Sequence, residues 1–219
     1  MHDGFHPPLE EYLEAIHELE EEGTEVIQAR LAERVGHSAP SVSEMIRRLR
    51  AEGYVNLDGR SVVLTTKGRA KAESVVRKHR LAERLLTDVI GLAWHKAHVE
   101  ACRWEHVISD EVEDRLVILL GNPATCPHGN PIPGTGADER VLVALATSEP
   151  GDQVRLERVT EQVEIDMDSL SYLSDHKFVP GTEATVRSKA PDGTLTLEMA
   201  HGSIALGPAL AAQLYVASA

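Results

Sequence analysis

The apolar positions at the start of the chain recur with the period of an α-helix. They stand four, three and three residues apart, so they share one face of a helix that we predict over 9–22. Gly23 ends this helix, because glycine is common just past a helix C-terminus. The residues that define the apolar face are Leu9, Leu13, Ile16 and Leu19.

Two short helices joined by a tight turn are predicted next. The first covers 27–35 and is followed by Gly36. Ser38 is a suitable N-cap for the second helix, and Pro40 stands in its first turn, where proline is tolerated. Gly53 ends the second helix.

A β-hairpin and three more helices follow. The dipeptide Asp58-Gly59 lies between two runs rich in β-forming residues, which is a strong hairpin signal. A helix, a helix-turn-helix, a hairpin and a long helix in this order are typical of a winged helix-turn-helix. The three helices after the hairpin are predicted over 66–90, 93–108 and 109–120.

The C-terminal part of the chain has a different pattern. A loop rich in proline and glycine covers 121–136, and short β-rich runs separated by turn signals occupy 141–219. These runs predict a small β-barrel. We therefore expect a mainly α-helical N-terminal part and a β-rich C-terminal domain.

Composition restricts the class of protein. The 219 residues are 42% apolar, which is enough for a packed core. No apolar run approaches the roughly 18 residues that a membrane span needs. The N-terminus lacks the basic and apolar regions of a secretory signal, and two cysteines cannot form a disulfide scaffold. We therefore expect a globular protein of the cytoplasm.

The net charge of −13 is unevenly distributed. Residues 27–80 contain 12 Lys or Arg and 5 Asp or Glu, whereas residues 1–26 contain 9 acidic residues and neither Lys nor Arg. The basic segment coincides with the predicted winged helix-turn-helix, which favours double-stranded DNA as a partner. We expect base contacts from Ser38, Pro40, Ser41, Ser43, Glu44 and Arg47, and phosphate contacts from Arg48, Arg50 and Arg60.

Possible metal ligands are concentrated on two predicted helices. Residues three or four apart share one helix face, and both helices carry imidazole and carboxylate groups at this spacing. Imidazole, thiolate and carboxylate together suit a divalent transition-metal ion. The candidate ligands are His98, Cys102, Glu105 and His106 on one helix, and His79 and Glu83 on the other.

Three other functions stay open on these residues. The helix of His98, Cys102, Glu105 and His106 could serve a metalloenzyme, although the sequence offers no separate nucleophile or general base and no phosphate loop. A metal-independent winged-helix regulator could sense an oxidant or a small molecule through Cys102. A cytosolic metal buffer would bind ions but no specific duplex. Turnover assays and DNA binding in chelator separate these alternatives.

One block of the sequence closely resembles a known family. Residues 77–116, RKHRLAERLLTDVIGLAWHKAHVEACRWEHVISDEVEDRL, are similar to the diphtheria toxin repressor family of iron- and manganese-dependent bacterial regulators. YLEAIHELEEEG at 12–23 and GNPIPG at 129–134 match as well. The resemblance is dense over 9–134 and looser over 138–219, where the family carries an SH3-like domain.

The resemblance implies a repressor of metal-uptake genes that is not an enzyme. It implies a homodimer that binds an inverted-repeat operator, with one or two dimers on each operator. Mn(II) or Fe(II) would occupy two sites per subunit, and Co(II), Ni(II) or Zn(II) could replace them in vitro. The implied domains are a winged helix-turn-helix over 1–75, a helical dimerisation and metal-binding domain over 76–137, and an SH3-like (FeoA-like) domain over 138–219.

The resemblance also implies two sets of ligands. The residues that match the primary site are Glu11, Cys102, Glu105 and His106, and those that match the ancillary site are His79, Glu83, His98, Glu161 and Glu164.

The chain departs from the iron-type pattern at Glu11 and at Glu44. Iron-type members have methionine where Glu11 stands, whereas manganese-type members have a carboxylate there, a further glutamate where Glu14 stands, and often glutamate where Cys102 stands. The ligand set here is a hybrid, with a modest preference for Mn(II) expected from Glu11 because oxygen donors suit hard ions. Glu44 replaces a glutamine typical of iron-type members, so we expect a different operator sequence.

Overall fold

The N-terminal part of the protein is helical and contains one short hairpin. The computed structural model describes residues 8–136 and 141–218. The hairpin pairs β1 (Val55–Asp58) with β2 (Ser61–Leu64) in antiparallel register. The helices are α1 (Pro8–Glu21), α2 (Gln28–Val35), α3 (Ala39–Ala51), α4 (Thr66–Arg84), α5 (Ala97–Trp104) and α6 (Asp110–Leu119).

The predicted winged helix-turn-helix is confirmed. Gly36 ends α2 in the left-handed conformation with φ 66°, and the Ser38 hydroxyl accepts a hydrogen bond from the Ser41 amide as the N-cap of α3. Buried apolar side chains of α1, α2, α3 and the hairpin form one core. The largest of them are Tyr12, Leu13, Ile16, Leu31, Ile46 and Leu49.

Helix α4 connects the DNA-binding fold to the rest of the protein. The Thr65 hydroxyl caps its first turn by accepting from the Gly68 amide at 3.1 Å. The regular helix ends at Arg84 and continues as a π-helical segment, Leu85–Ile90, so the predicted long helix is regular over only part of its length. The predicted boundary between residues 75 and 76 falls within α4.

The C-terminal domain is an antiparallel sheet of six strands in the order β3-β8-β4-β5-β6-β7. Three short helices, α7 (Glu161–Glu164), α8 (Met167–Asp175) and α9 (Pro208–Ala211), connect its strands. The strands are β3 (Val143–Ala144), β4 (Gln153–Val159), β5 (Glu183–Lys189), β6 (Leu195–Met199), β7 (Gly202–Leu206) and β8 (Leu214–Ser218).

The predicted β-rich, SH3-like domain is confirmed, but its closure into a barrel is wrong. Among the described residues, β3 and β7 are the two edges of the sheet and do not pair with each other. Register shifts in β4 and β5 bend the sheet, because a bulge adds local twist. The helices cover the core of the sheet, to which α8 contributes Leu170 and Leu173 and α9 contributes Ala211.

The loop predicted over 121–136 is packed against β4. The Val159 amide donates to the His128 carbonyl at 2.9 Å. Gly129 has φ 90° and passes so close to β4 that a Cβ would lie 1.8 Å from the Glu157 carbonyl oxygen. A glycine is therefore needed here, and it places His128 between the helical part and the sheet. None of the described helices has both the length and the apolar character needed to cross a membrane.

Candidate metal centre and DNA-binding surface

Five segments converge on one region rich in buried carboxylates and imidazoles. They are α1, α4, α5 with the two residues after it, the 121–136 loop and α7. Because α7 belongs to the C-terminal domain, this region joins all parts of the fold. The side chains that converge are Glu11, Glu14, Glu18, His79, Glu83, His98, Cys102, Glu105, His106, Cys126, His128, Glu161 and Glu164.

His98 lies between the thiol of its own helix and the carboxylates of α7. Its Nε2 is 3.5 Å from the Cys102 Sγ, as the spacing of four residues on one helix predicts. Its Nδ1 is 3.1 Å from a Glu161 oxygen and 3.4 Å from a Glu164 oxygen. The donor atoms of His79, His98, Glu161 and Glu164 all lie within 4.8 Å of one another.

His79 faces two different groups of carboxylates. Its Nδ1 is 2.5 Å from a Glu105 oxygen, and its Nε2 is 3.3 Å from a Glu83 oxygen. Donor atoms of Glu14, His79 and Glu105 lie within 4.8 Å of one another. The same imidazole also belongs to a group with His98 and Cys102. It therefore links the residues predicted as ancillary ligands to those predicted as primary ligands.

The predicted primary-site residues occupy neighbouring positions without forming one cluster. The His106 Nε2 is 3.0 Å from a Glu105 oxygen, and its Nδ1 is 2.6 Å from Glu10 of α1. Cys102 lies instead with His79 and His98. Glu11 lines the same cavity of about 110 Å³ as Glu14, but among the described residues only Glu14 falls into a compact donor group.

Cys126 and His128 are candidate ligands that sequence reasoning missed. Their donor atoms lie within 4.8 Å of Glu83. The His128 Nδ1 is 3.1 Å from a Glu83 oxygen and 3.0 Å from a Glu164 oxygen. The available signal was a Cys-Pro-His tripeptide in a segment otherwise interpreted as a linker. Its partners lie on other elements, so the spacing alone did not indicate them.

The histidines of this region bind protons more tightly than usual. Burial alone would lower the pKa of His79, but Glu83 and Glu105 raise it well above its ordinary value. The pKa of His98 is likewise raised well above its usual value, against the effect of burial, by Cys102 and Glu161. Neighbouring carboxylates and the Cys102 thiol therefore favour the protonated imidazoles, and a bound cation could take the place of these protons.

The carboxylates divide into two classes. Burial would raise the pKa of Glu105, but His79 and His106 lower it to about 2. In contrast, burial first and then the neighbouring carboxylate Glu105 raise the pKa of Glu14 well above its usual value. Burial and Glu164 raise the pKa of Glu161 in the same way. The region thus contains more carboxyl groups than its histidines can keep ionised.

Unpaired buried atoms test whether a metal ion fits these residues. Among the described residues, both oxygens of Glu83, both ring nitrogens of His128 and one ring nitrogen each of His79 and His98 are buried without a hydrogen bond. Such atoms are costly unless something satisfies them. Ring nitrogens of His79, His98 and His128 from this set lie 3.1–3.6 Å from the same Glu83 oxygen. Imidazole, thiol and carboxylate donors at this spacing fit a divalent transition-metal ion.

The DNA-binding candidates lie on an open surface. Seven of the predicted contacts on α3 and its N-cap are exposed, and Ser43 is half-buried. Arg60 at the hairpin turn pairs with Glu25 at 2.8 Å. Hydrogen bonds from Arg60 and Ser61 lower the pKa of Glu25 to about 2. The exposed residues are Ser38, Pro40, Ser41, Glu44, Arg47, Arg48 and Arg50.

Three family models match consecutive parts of the chain. The N-terminal DNA-binding domain of the iron dependent repressor matches residues 5–63. The metal binding and dimerisation domain of the iron dependent repressor matches residues 65–134. The FeoA domain matches residues 143–218.

Individual relatives extend over almost the whole chain. The iron-dependent repressor IdeR of Mycobacterium tuberculosis is 45% identical over 209 residues, which cover 90% of this chain and 91% of that protein. The diphtheria toxin repressor of Corynebacterium diphtheriae is 44% identical over 199 residues, covering 86% and 87%. A solved structure of a manganese-dependent transcriptional repressor in complex with manganese superimposes with a TM-score of 0.85 at 31% identity, covering 96% of this chain and 100% of that chain.

These matches agree with the convergence of metal donors and the exposed recognition helix. The family consists of DNA-binding repressors and not of enzymes. The chain belongs to the iron-dependent repressor family and is a metal-dependent transcriptional repressor.

Proposed function

We propose that this repressor responds to Mn(II) or Fe(II) and controls metal-uptake genes from within the cytoplasm, where its DNA partner lies. It binds an inverted-repeat operator as a homodimer, with one or two dimers on each operator, because a two-fold dimer presents two recognition helices. One observation carries this proposal. Donor atoms from α1, α4, α5, the 121–136 loop and α7 converge on one region, and those of His79, Glu83, His98 and His128 include buried atoms without a hydrogen bond.

Two adjacent groups of residues would hold the ions. The first includes Glu14, His79, Glu105 and His106, with Glu11 on the same cavity. The second includes Glu83, His98, Glu161 and Glu164, and we add Cys126 and His128 because their donor atoms lie within 4.8 Å of Glu83. A divalent cation at each would neutralise the excess carboxylates and satisfy the unpaired nitrogens.

The placement of the ligands supports a mechanism for activation. Glu14 belongs to α1, which packs against α2 in the DNA-binding domain, whereas Glu105 follows α5. Glu14 and Glu105, if they held the same ion, would fasten α1, and with it the recognition helix α3, to the central helices. An ion held in this way would stabilise that arrangement and shift the population toward the DNA-binding state.

Exposed apolar side chains support the homodimer. Val107 is 75% exposed and Ile118 is 68% exposed, although both belong to the segment that matches a dimerisation domain. Exposed large apolar side chains in a dimerisation segment are the kind of surface that an interface covers. The others in this segment are Val89, Ile90, Val112 and Leu119.

The direct test is a gel shift on the DNA upstream of the gene for this chain. Mn(II), Fe(II), Zn(II) and chelator are compared in parallel under anaerobic conditions. The proposal requires a retarded complex with Mn(II) or Fe(II) on DNA that contains an inverted repeat. A complex on any DNA, with equal affinity, would contradict a specific operator.

Metal preference is expected to depend more on Glu14 than on Glu11. Glu14 is in a donor group with His79 and Glu105, and its oxygens suit Mn(II). We expect Glu14→Gln to raise the Mn(II) concentration needed for half-maximal operator binding by at least about 10-fold, the lower range for loss of a metal-site residue. The matched control Glu11→Gln should change this midpoint less. Fluorescence anisotropy of a labelled operator measures both midpoints. A larger effect of Glu11→Gln would show that Glu11 is the ligand, as the sequence analysis predicts.

Metal binding is expected to release protons. Because the pKa values of His79, His98 and His128 are raised well above 6.5, these groups are protonated near neutral pH in the metal-free protein. The ion must displace these protons, so metal affinity should fall as the pH is lowered. Calorimetric titrations in buffers of different ionisation enthalpy measure the number released. Binding without proton release would show that these histidines are not ligands.

The stability of the metal-free protein should fall as the pH rises, whereas metal affinity should increase. A histidine whose folded pKa is raised contributes stability below its unfolded pKa, and this contribution is lost as the pH rises through the folded pKa. The metal-free protein should therefore lose stability as the pH rises above neutrality. The increase in Tm caused by metal should grow over the same range, as thermal unfolding with and without Mn(II) can measure.

A further inference from the structure

The side chain of Tyr12 joins α1 to the turn of the helix-turn-helix. Tyr12 is 1% exposed, and its hydroxyl lies 2.9 Å from the Nδ1 of His37. His37 itself is exposed. A buried phenol on one helix thus holds a surface residue that is 25 positions away in the chain.

His37 occupies the position that sets the start of the recognition helix. Gly36 ends α2, and Ser38 is the N-cap of α3, so His37 is the single residue between the two caps. A change in its position alters the direction in which α3 leaves the turn. The residues of α3 predicted to contact bases begin immediately after it.

Tyr12 also stands next to the candidate metal ligands of α1. Glu11 precedes it, and Glu14 follows two residues later on the same turn of helix. An α-helix moves as a rigid unit over so short a distance. A shift of α1 that completes the ligand set therefore moves the Tyr12 hydroxyl and, through the hydrogen bond, the turn.

A second connection between α1 and α2 has a different role. Arg34 of α2 pairs with Glu18 at 3.2 Å and with Glu22 at 2.6 Å. These ion pairs hold the body of α2 against α1, but they lie before the turn. Only the hydrogen bond of Tyr12, among the described side-chain contacts of α1, reaches the residue between the two caps.

We propose that the Tyr12–His37 hydrogen bond transmits metal binding on α1 to the recognition helix, which makes Tyr12 a positioning residue for operator binding. This inference rests on the proposed function, because it requires a metal-dependent operator. It assigns to Tyr12 a role in the coupling between metal and DNA, in addition to its place in the apolar core.

The test combines two single variants and the double variant in one cycle. Tyr12→Phe keeps the ring in the core and removes only the hydroxyl, and His37→Ala removes the partner at an exposed position. Tyr54→Phe is the matched control, because Tyr54 belongs to the same domain but lies between α3 and β1. The probe is a labelled duplex selected from a random pool with the Mn(II)-loaded wild-type protein.

We expect Tyr12→Phe to weaken operator binding at saturating Mn(II) by about five-fold, the factor typical of one neutral hydrogen bond. Affinity for DNA in chelator, affinity for Mn(II) without DNA and Tm should change little. Tyr54→Phe should behave as the wild type. In the His37→Ala background, Tyr12→Phe should have no further effect, because the partner is already absent.

Three results would overturn the inference. The first is that Tyr12→Phe binds the operator as tightly as the wild type at saturating Mn(II). The second is that Tyr12→Phe loses the same factor of DNA affinity with Mn(II) and in chelator. The third is that Tyr12→Phe weakens operator binding as much in the His37→Ala background as in the wild type. A wild-type protein that binds the selected duplex equally with and without Mn(II) would overturn the proposed function first, and the inference with it. If Tyr12→Phe lowers the Tm, the His37→Ala variant still tests the inference, because it removes the same hydrogen bond at an exposed position.

Discussion

Removal of divalent metal should reduce specific operator binding by at least about 100-fold, within the upper range of measured coupling between two sites. In the metal-free protein, carboxylates of α1, α4 and α7 face one another across a buried region. Burial and neighbouring carboxylates raise the pKa of Glu14 and Glu161, so without a cation the ionised forms that would join α1 to the central helices are disfavoured. Without an ion to fasten α1, we expect the recognition helices of the dimer to lose their fixed separation, so that only non-specific attraction to phosphate remains.

Anisotropy of a labelled operator at one fixed salt concentration measures this loss, because salt alone changes DNA affinity strongly. The comparison is between saturating Mn(II) and a strong chelator, with a scrambled duplex of equal length as the control. Specific binding that persists undiminished in chelator would favour the alternative of a metal-independent regulator that senses through Cys102.

Replacement of His79 is expected to impair metal binding by both groups of candidate ligands at once. Its two ring nitrogens lie near Glu105 on one side and near Glu83 on the other. We expect His79→Gln to lower Mn(II) affinity by more than about 100-fold, beyond the usual effect of residues that only support a ligand. The resemblance to the family assigns His79 to the ancillary site alone, for which partial function would remain. The geometry instead predicts that His79→Gln lowers Mn(II) affinity as much as Glu105→Gln does.

Calorimetric titration of the DNA-free variants with Mn(II) measures this effect. His201→Ala is the control, because His201 is an exposed histidine of the C-terminal domain. Since removal of one partner of a buried ion pair costs about 3 kcal/mol, the Tm of His79→Gln must be measured in parallel. If His79→Gln retains metal-dependent operator binding while Glu105→Gln does not, the two sites are separate, as the family resemblance implies.

Local features of the fold were predictable because their causes lie within a few residues. The apolar period of α1, the N-cap Ser38 and the Asp58-Gly59 turn each act over one or two helical turns or a single hairpin. The end of the regular helix at Arg84 was not predictable from the apolar period. There the Thr87 hydroxyl donates to the Glu83 carbonyl at 2.9 Å, and the backbone widens into a π-helical segment.

The open sheet illustrates a second limit. Alternating apolar positions predicted the strands, but the order of strands depends on pairs far apart in sequence, such as β4 with β8. Closure further depends on bulges and on which helices cover the core. The residues of a single strand determine none of these properties. The prediction of a β-rich domain was therefore correct, whereas the prediction of a closed barrel was wrong.

The candidate metal ligands divide in the same way. Two pairs on single helices, His79 with Glu83 and His98 with Cys102, follow from a spacing of four residues, because a helix places such residues on one face. Glu161 and Glu164 came from resemblance to a family rather than from their spacing.

The sequence by itself determined the helical framework, the winged helix-turn-helix and these helical pairs, since all of them depend on local periodicity and capping. Only the tertiary structure decided that Glu14 joins His79, that Cys126 and His128 join Glu83, and that Tyr12 reaches His37. Each of these contacts joins residues that are at least 25 positions apart in the chain. Their distances are set by core packing and by the close approach of Gly129 to β4, which no local pattern records.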